Sequence, residues 1–245
     1  MIPLFKSHFS IGKSILKIDA PNNSQVGPDN IIDIALQNNL KKIVLVEDSL
    51  IGFLHSNHIA KESGIDLVFG LRIDCISEYE QEDSLSKIIV FAKNGHGCKL
   101  LNKIYSKTYS GNKTGITISE LKSFWSEDDL KLAIPFYDSF LYNNCMYFSN
   151  CIIDFNFTNP TFFLESNSLP FDNLISDKVE RYAKSNNFTT ENTKTIYYKN
   201  KSDLEAFQTY KCICSRKFGN KTLSKPNLDH FSSDEFCFES FLEKS

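Results

Sequence analysis

Short, nearly unbroken apolar runs alternate along the chain with longer stretches in which apolar positions recur every three or four residues. The first pattern suits strands buried on both faces, the second helices that bury one stripe. Strands are predicted over 3–6, 42–48, 66–76, 87–92, 130–135, 160–165 and 193–198. Helices are predicted between them over 29–37, 53–63, 97–109, 119–125, 139–148, 173–184 and 202–215. Local signals place several ends. Pro28 suits the first turn of the first helix, Gly64 closes the second, and Asp138 and Asp172 can cap two later ones. Leu100, Leu101, Ile104 and Tyr105 share one stripe of the third. The alternation predicts a parallel β/α architecture, most simply a closed or nearly closed barrel with its site at the C-terminal ends of the strands, an open doubly wound sheet being the structural competitor.

The run Lys42-Ile-Val-Leu-Val-Glu-Asp48 organises this arrangement, because it ends in two carboxylates where a barrel strand presents a functional rim. Residues 7–14 form a polar loop leaving the first strand, and 77–83 an acidic surface loop. After Phe218 the alternation stops. Residues 219–230 read as an extended linker and 233–242 as a final helix. The predicted organisation is therefore a barrel over 1–215, then a linker and short helix over 216–245 that lead toward something larger.

Apolar content of 41% and charged content of 23% suit a folded globular chain, and the length suffices for a full core. A net charge of -3 gives no broad attraction to a polyanion, so the chain alone is expected to bind DNA only weakly. No stretch has the apolar length of a membrane span or a signal peptide, which predicts a cytoplasmic protein without a membrane partner. Seven cysteines without an export signal predict free thiols.

Most isolated chemical candidates have plainer readings. His55 and His58, with Glu62 beyond them, lack a full ligand set and suit a solvated helix face. Cys212 and Cys214 lack metal-site spacing, and Gly95-His96-Gly97 is too short for a phosphate-binding loop. The aromatics from Phe136 to Tyr142 are predicted to be core. Lys211, Arg216, Lys217, Lys221 and Lys225, with Tyr210 and Phe218 among them, make the one local basic cluster, which reads as a solvated tail or as a phosphate contact within a larger assembly.

Several stretches, in order, resemble the PHP (polymerase and histidinol phosphatase) domain that opens bacterial and phage-type DNA polymerase III alpha subunits, the C-family polymerases. Ser7-His-Phe-Ser-Ile-Gly-Lys-Ser-Ile-Leu16 is similar to that family's first-strand loop, and Leu45-Val-Glu-Asp-Ser-Leu-Ile-Gly-Phe53 lies where it has a Thr-Asp-His turn. Gly64-Ile-Asp-Leu-Val-Phe-Gly-Leu-Arg72 resembles a Gly-Ile-x-x-Ile-x-Gly-x-Glu segment, and Ile88-Ile-Val-Phe-Ala-Lys-Asn94 a Leu-Leu-Ala-Lys-Asn segment. Ile196-Tyr-Tyr-Lys-Asn-Lys-Ser-Asp203 is similar to the last barrel strand, and Ser233-Asp-Glu-Phe236 to the segment approaching the polymerase core. The resemblance implies a distorted seven-stranded α/β barrel, agreeing with the independent strand count. It implies as partners a polymerase core, in cis or in trans, and a proofreading exonuclease, with DNA met through the full polymerase.

Catalytic members of that family hold metal ions through His and carboxylate ligands at the strand ends. By the matched positions, the opening His-x-His is replaced here by Leu4 and Lys6, the histidine of the Thr-Asp-His turn by Ser49, the glutamate of the Gly-x-Glu segment by Arg72, and a late Asp-x-His pair by Thr195 and Tyr197. His8, Glu47, Asp48 and Asp74 remain as a polar rim, and Lys6 and Arg72 are candidates to pair with Glu47, Asp48 or Asp74. The resemblance thus implies a degenerate, non-catalytic scaffold with neither catalytic residues nor a metal cofactor. The polymerase palm would lie beyond the matched region. The alternative is a stand-alone metal-dependent phosphoesterase or 3'-5' exonuclease using zinc or manganese on rearranged ligands, His8, Asp48, Asp74 and His96. A third reading is a free-standing interaction protein.

Overall fold

The computed structural model describes residues 1–21, 27–76, 85–110, 115–149, 151–214 and 233–245. Its strands are β1 (Ile2–Phe5), β2 (Lys42–Glu47), β3 (Asp66–Ile76), β4 (Leu85–Ala92), β5 (Ile116–Thr117), β6 (Leu130–Ile134), β7 (Thr161–Leu164) and β8 (Thr189–Ile196). Hydrogen bonding runs in the order β2-β1-β8-β7-β6-β4-β3, and β3 pairs back onto β2. Seven strands therefore close a barrel, as the resemblance implied, and the open sheet that the periodicity left as a competitor is excluded. The short β5, unpredicted, pairs with Cys75 and Ile76 of β3 beyond the point where β2 ends.

One expectation fails. The sheet is mixed, because β4 runs antiparallel to both β3 and β6. Only residues 77–84 separate β3 from β4, fewer than the dozen or so that a parallel crossover needs.

The alternation of side chains along each strand sorts the apolar residues into two layers. Inside the barrel, Leu4, Val46, Ile89, Phe91, Ala133 and Phe163 pack together. Outside, Phe5, Leu45, Leu71, Ile73, Ile134 and Ile196 meet the helices. Gly70 permits the inner packing: a Cβ there would lie 2.5 Å from the Phe91 ring, which crosses the interior to a centroid distance of 6.4 Å from Phe163.

The helices are α1 (Ile31–Gln37), α2 (Phe53–Glu62), α3 (Gly95–Tyr109), α4 (Ile118–Ser123), α5 (Phe140–Met146), α6 (Asp172–Ser185), α7 (Leu204–Cys214) and α8 (Phe238–Lys244). Asn30 and Asn94 cap α1 and α3, and Thr117 with Glu120 forms a capping box on α4. Two predicted caps are replaced. Ser139, whose hydroxyl accepts from the Tyr142 N–H, caps α5 in place of Asp138, and Asp172 is the first residue of α6, its carboxylate accepting from the backbone of Asn167 and Leu169. Asp138 adopts φ 61° and turns its carboxylate elsewhere.

Residues 233–245 lie against the barrel. Cys237 bridges to Tyr198, Phe238 stacks on Phe5 at 5.8 Å, and Phe236 packs with Tyr198 and Phe207. The predicted linker, with Arg216, Lys217, Phe218, Lys221 and Lys225, and the acidic 77–83 loop fall outside the described residues. All seven cysteines are free thiols, and Phe136, Phe140 and Tyr142 are core as predicted.

Candidate functional site at the barrel mouth

The inward register that places Leu4 and Phe163 in the barrel carries polar side chains to its rim two residues later. A small cavity there, of about 40 Å³, is lined among others by Leu4, Lys6, Arg72, Glu165, Thr195 and Tyr197. Five of the six matched ligand positions thus meet in one place. Ser49 is the exception, and its buried hydroxyl has no hydrogen-bond partner among the described residues.

Lys6 and Arg72 form the centre of the site. The Lys6 ammonium lies 2.8 Å from Asp48, and Arg72 lies 3.8 Å from the same carboxylate and 2.6 Å from Asp138. Burial works to raise the Asp48 carboxyl, but Lys6 and Arg72 overcome it and hold it below the usual aspartate range. Burial pushes the Lys6 ammonium down, with Asp48 opposing and Arg72 adding to the effect. Burial would also lower the Arg72 guanidinium, yet Asp138 and Asp48 raise it. Two fixed cations here alternate with two carboxylates.

The other expected rim residues are elsewhere. Glu47 points to the opposite side of β2, accepting from the Ser7 N–H at 2.8 Å and from the Ser10 hydroxyl, which in turn accepts from the Asp48 N–H. It pins the loop after β1 rather than neutralising Lys6, and burial raises its carboxyl. Asp74 pairs with Lys87 at 2.6 Å, not with Arg72. His8 packs its ring on Phe9 at 4.3 Å, and burial, reinforced by His55, lowers its imidazole. His96 pairs with Asp129 at 2.8 Å at the start of α3, which follows the reversed strand β4 and so stands at the opposite end of the barrel. The alternative ligand set of His8, Asp48, Asp74 and His96 is therefore not assembled.

Sequence reasoning missed a second polar layer. Glu165 accepts from the Thr195 N–H and hydroxyl, at 3.1 and 2.6 Å, and from the Asn167 amide at 3.1 Å. Burial raises its carboxyl despite those bonds. Tyr137 donates to Asp172 at 2.8 Å and accepts from Asn167 at 3.0 Å, and burial pushes its phenol well above the usual range. Glu165 was readable as the carboxylate ending a predicted strand. Asp138 and Asp172 looked like ordinary caps.

Lys194, on the outer face of β8 and 1% exposed, donates to Asn167 at 2.7 Å and pairs with Glu235 at 3.1 Å. Burial would raise the Glu235 carboxyl, but Lys244, Ser240 and Lys194 pull it down to about 2. The folded chain consequently binds fewer protons than the unfolded chain between that value and the ordinary 4.5. The stability this carboxylate contributes is complete above the ordinary glutamate pKa and is lost as pH falls toward about 2. Urea midpoints measured across that interval should fall less steeply in Glu235→Gln than in the parent. Equal slopes would remove Glu235 from the account.

Among the described residues no group of three or more His, Cys, Asp or Glu side chains is arranged to hold a metal ion. His58 pairs with Glu62 at 3.3 Å and His55 lies 4.0 Å from Asp19, both on exposed side chains as predicted. Lys211 is buried over the Phe207 ring at 5.2 Å, so it is not a free member of the basic cluster. No helix among the described residues is long and apolar enough to cross a membrane.

No family model matches the sequence, and no curated protein matches it. Among solved structures, a protein from Bifidobacterium adolescentis ATCC 15703, itself only suggested to be a metal-dependent phosphoesterase, is similar at 8% identity with a TM-score of 0.41. The similarity covers 78% of this chain and 86% of that one. At that distance it carries no argument about function, and the barrel stands on its own hydrogen-bond pairing.

Proposed function

We propose that the chain is a non-catalytic barrel of the PHP kind, serving as a scaffold in DNA replication within a DNA polymerase III alpha subunit-like polymerase. The observation that carries this reading is the pairing of Lys6 and Arg72 with Asp48 and Asp138 at the barrel mouth. In a metal-dependent barrel, divalent ions neutralise the carboxylates gathered there. Here two side chains supply that positive charge, so the mouth is neutralised without a metal, and an incoming divalent ion meets two cations at close range. The proposed partners are a polymerase core, in cis or in trans, and a proofreading exonuclease, with DNA reached through the assembled enzyme.

Metal analysis tests the first half of the reading. Purified chain exposed to zinc and manganese, then freed of excess, should retain less than one ion per molecule. Stoichiometric metal would overturn the scaffold reading and favour a phosphoesterase or exonuclease with rearranged ligands. The polymerase context is tested separately, by whether a C-family polymerase core binds the purified chain. No such binding, together with an empty mouth, would leave a free-standing interaction barrel.

A further inference from the structure

The face built by α5 and α6 carries apolar surface that the barrel does not use. A wide groove of about 610 Å³ runs between the two helices, with Leu141, Leu174 and Tyr182 along it and Lys178 and Arg181 at its edge. Phe148 lines its α5 end and is 89% exposed, beside Tyr147 at 69%, and Leu174 on the facing helix is 53% exposed. Phe148 also sits at φ 56°, just past the C-cap of α5. That left-handed position is one glycine or asparagine takes easily and a bulky aromatic does not. Neither burial nor backbone preference accounts for a phenylalanine there.

The charge at the groove is one-sided. Leu174, Lys178, Arg181 and Ser185 follow one another at helical spacing along the α6 wall. Arg181 has Asp177 of its own helix 3.6 Å away, whereas Lys178 has no ion pair among the described residues. This cationic edge belongs to a chain whose net charge is -3.

We propose that the groove docks an acidic amphipathic helix of a partner protein. Its apolar ridge lies against Leu174, Tyr182 and Phe148, and its carboxylates lie over Lys178 and Arg181. Two packed helices leave a trough that a third helix fills ridge into groove, with anchors every three or four residues. A second copy of this chain suits the surface less well, because an isologous contact would set the cationic edge against itself. A lipid surface calls for an apolar face that protrudes throughout, whereas Leu141 and Tyr182 line a groove between the two helices. The proposal stands apart from the polymerase reading, since it uses no residue of the barrel mouth.

The test uses the full chain and two labelled helical peptides, one with leucine at every third or fourth position and glutamate elsewhere, the other with lysine in place of the glutamates. By fluorescence anisotropy the acidic peptide should bind at least about tenfold more tightly than the basic one. Phe148→Asp and Leu174→Asp should each weaken it by about tenfold or more, and Lys178→Glu with Arg181→Glu should reverse the preference. These side chains are exposed, and aspartate tolerates the backbone of position 148, so thermal melts of the variants should not fall below the parent. Hydrogen exchange should show protection over 140–148 and 172–185 on peptide binding. The proposal is overturned if neither peptide binds, or if both bind equally and the variants change nothing. It is also overturned by a dimer of the chain that Phe148→Asp dissolves, or by phosphatidylserine vesicles competing the acidic peptide off while binding more tightly themselves.

Discussion

Replacement of Asp48 by alanine should lower folding stability by about 3–5 kcal/mol, the cost of leaving a buried charge without its partner. The Lys6 side chain is 5% exposed and has Asp48 at 2.8 Å, and no other carboxylate lies within ion-pairing distance of it among the described residues. The Asp48 side chain is 29% exposed, so water admitted at the mouth offsets part of that cost and sets the lower end of the range. Arg72 would be affected less, since it keeps Asp138 at 2.6 Å. The double variant Lys6→Met with Asp48→Leu should recover most of the loss, because a buried ion pair and an apolar pair of similar size are close in free energy. Urea titrations at neutral pH measure both. If Asp48→Ala shifted stability by less than about 1 kcal/mol, the pair would be behaving as a solvated surface contact. The idea that fixed cations stand in for metal would then lose its footing.

Phe238→Ala should cost about 3–5 kcal/mol, the range for emptying a buried aromatic site. Phe238 is 2% exposed and stacks on the fully buried Phe5, whose strand runs into Lys6. The unfolding transition should remain single, because a cavity beside β1 loosens the same core that holds the barrel closed. A separate early transition, with the barrel itself unaffected, would mean that residues 233–245 form an appendage. The structure gives them the opposite character: Glu235 neutralises the buried Lys194, and Phe236 packs on Tyr198.

From sequence those residues are only a short helix leading toward something larger, and the reason is physical. Phe236, Phe238 and Phe241 make a short apolar stripe, and a stripe states that a face is buried without naming what buries it. The same limit applied at the mouth. Lys6 and Arg72 were placed there by matched positions, and Asp48 was among their candidate partners. Asp138 was overlooked because an aspartate before an apolar helix has the pattern of a cap. Only a left-handed backbone at Asp138, with Ser139 taking over the cap, frees its carboxylate for Arg72.

What the sequence determined by itself was local and periodic: strands buried on both faces, helices between them, and free thiols, while it was the resemblance that matched Lys6, Arg72, Thr195 and Tyr197 to one site. Period-two alternation then puts Leu4 with Lys6, and Thr195 with Tyr197, on one face of their strands. The tertiary structure decided what depends on separation across the chain. It closed β3 onto β2, reversed β4, folded Glu47 outward under the Ser7 turn, and left Asp48 rather than Asp74 between the two cations. The reversal of β4 follows from its short connection to β3, residues 77–84, whereas barrel closure and the ion pairs of Lys6 and Arg72 join residues tens of positions apart and leave no periodic trace in the sequence.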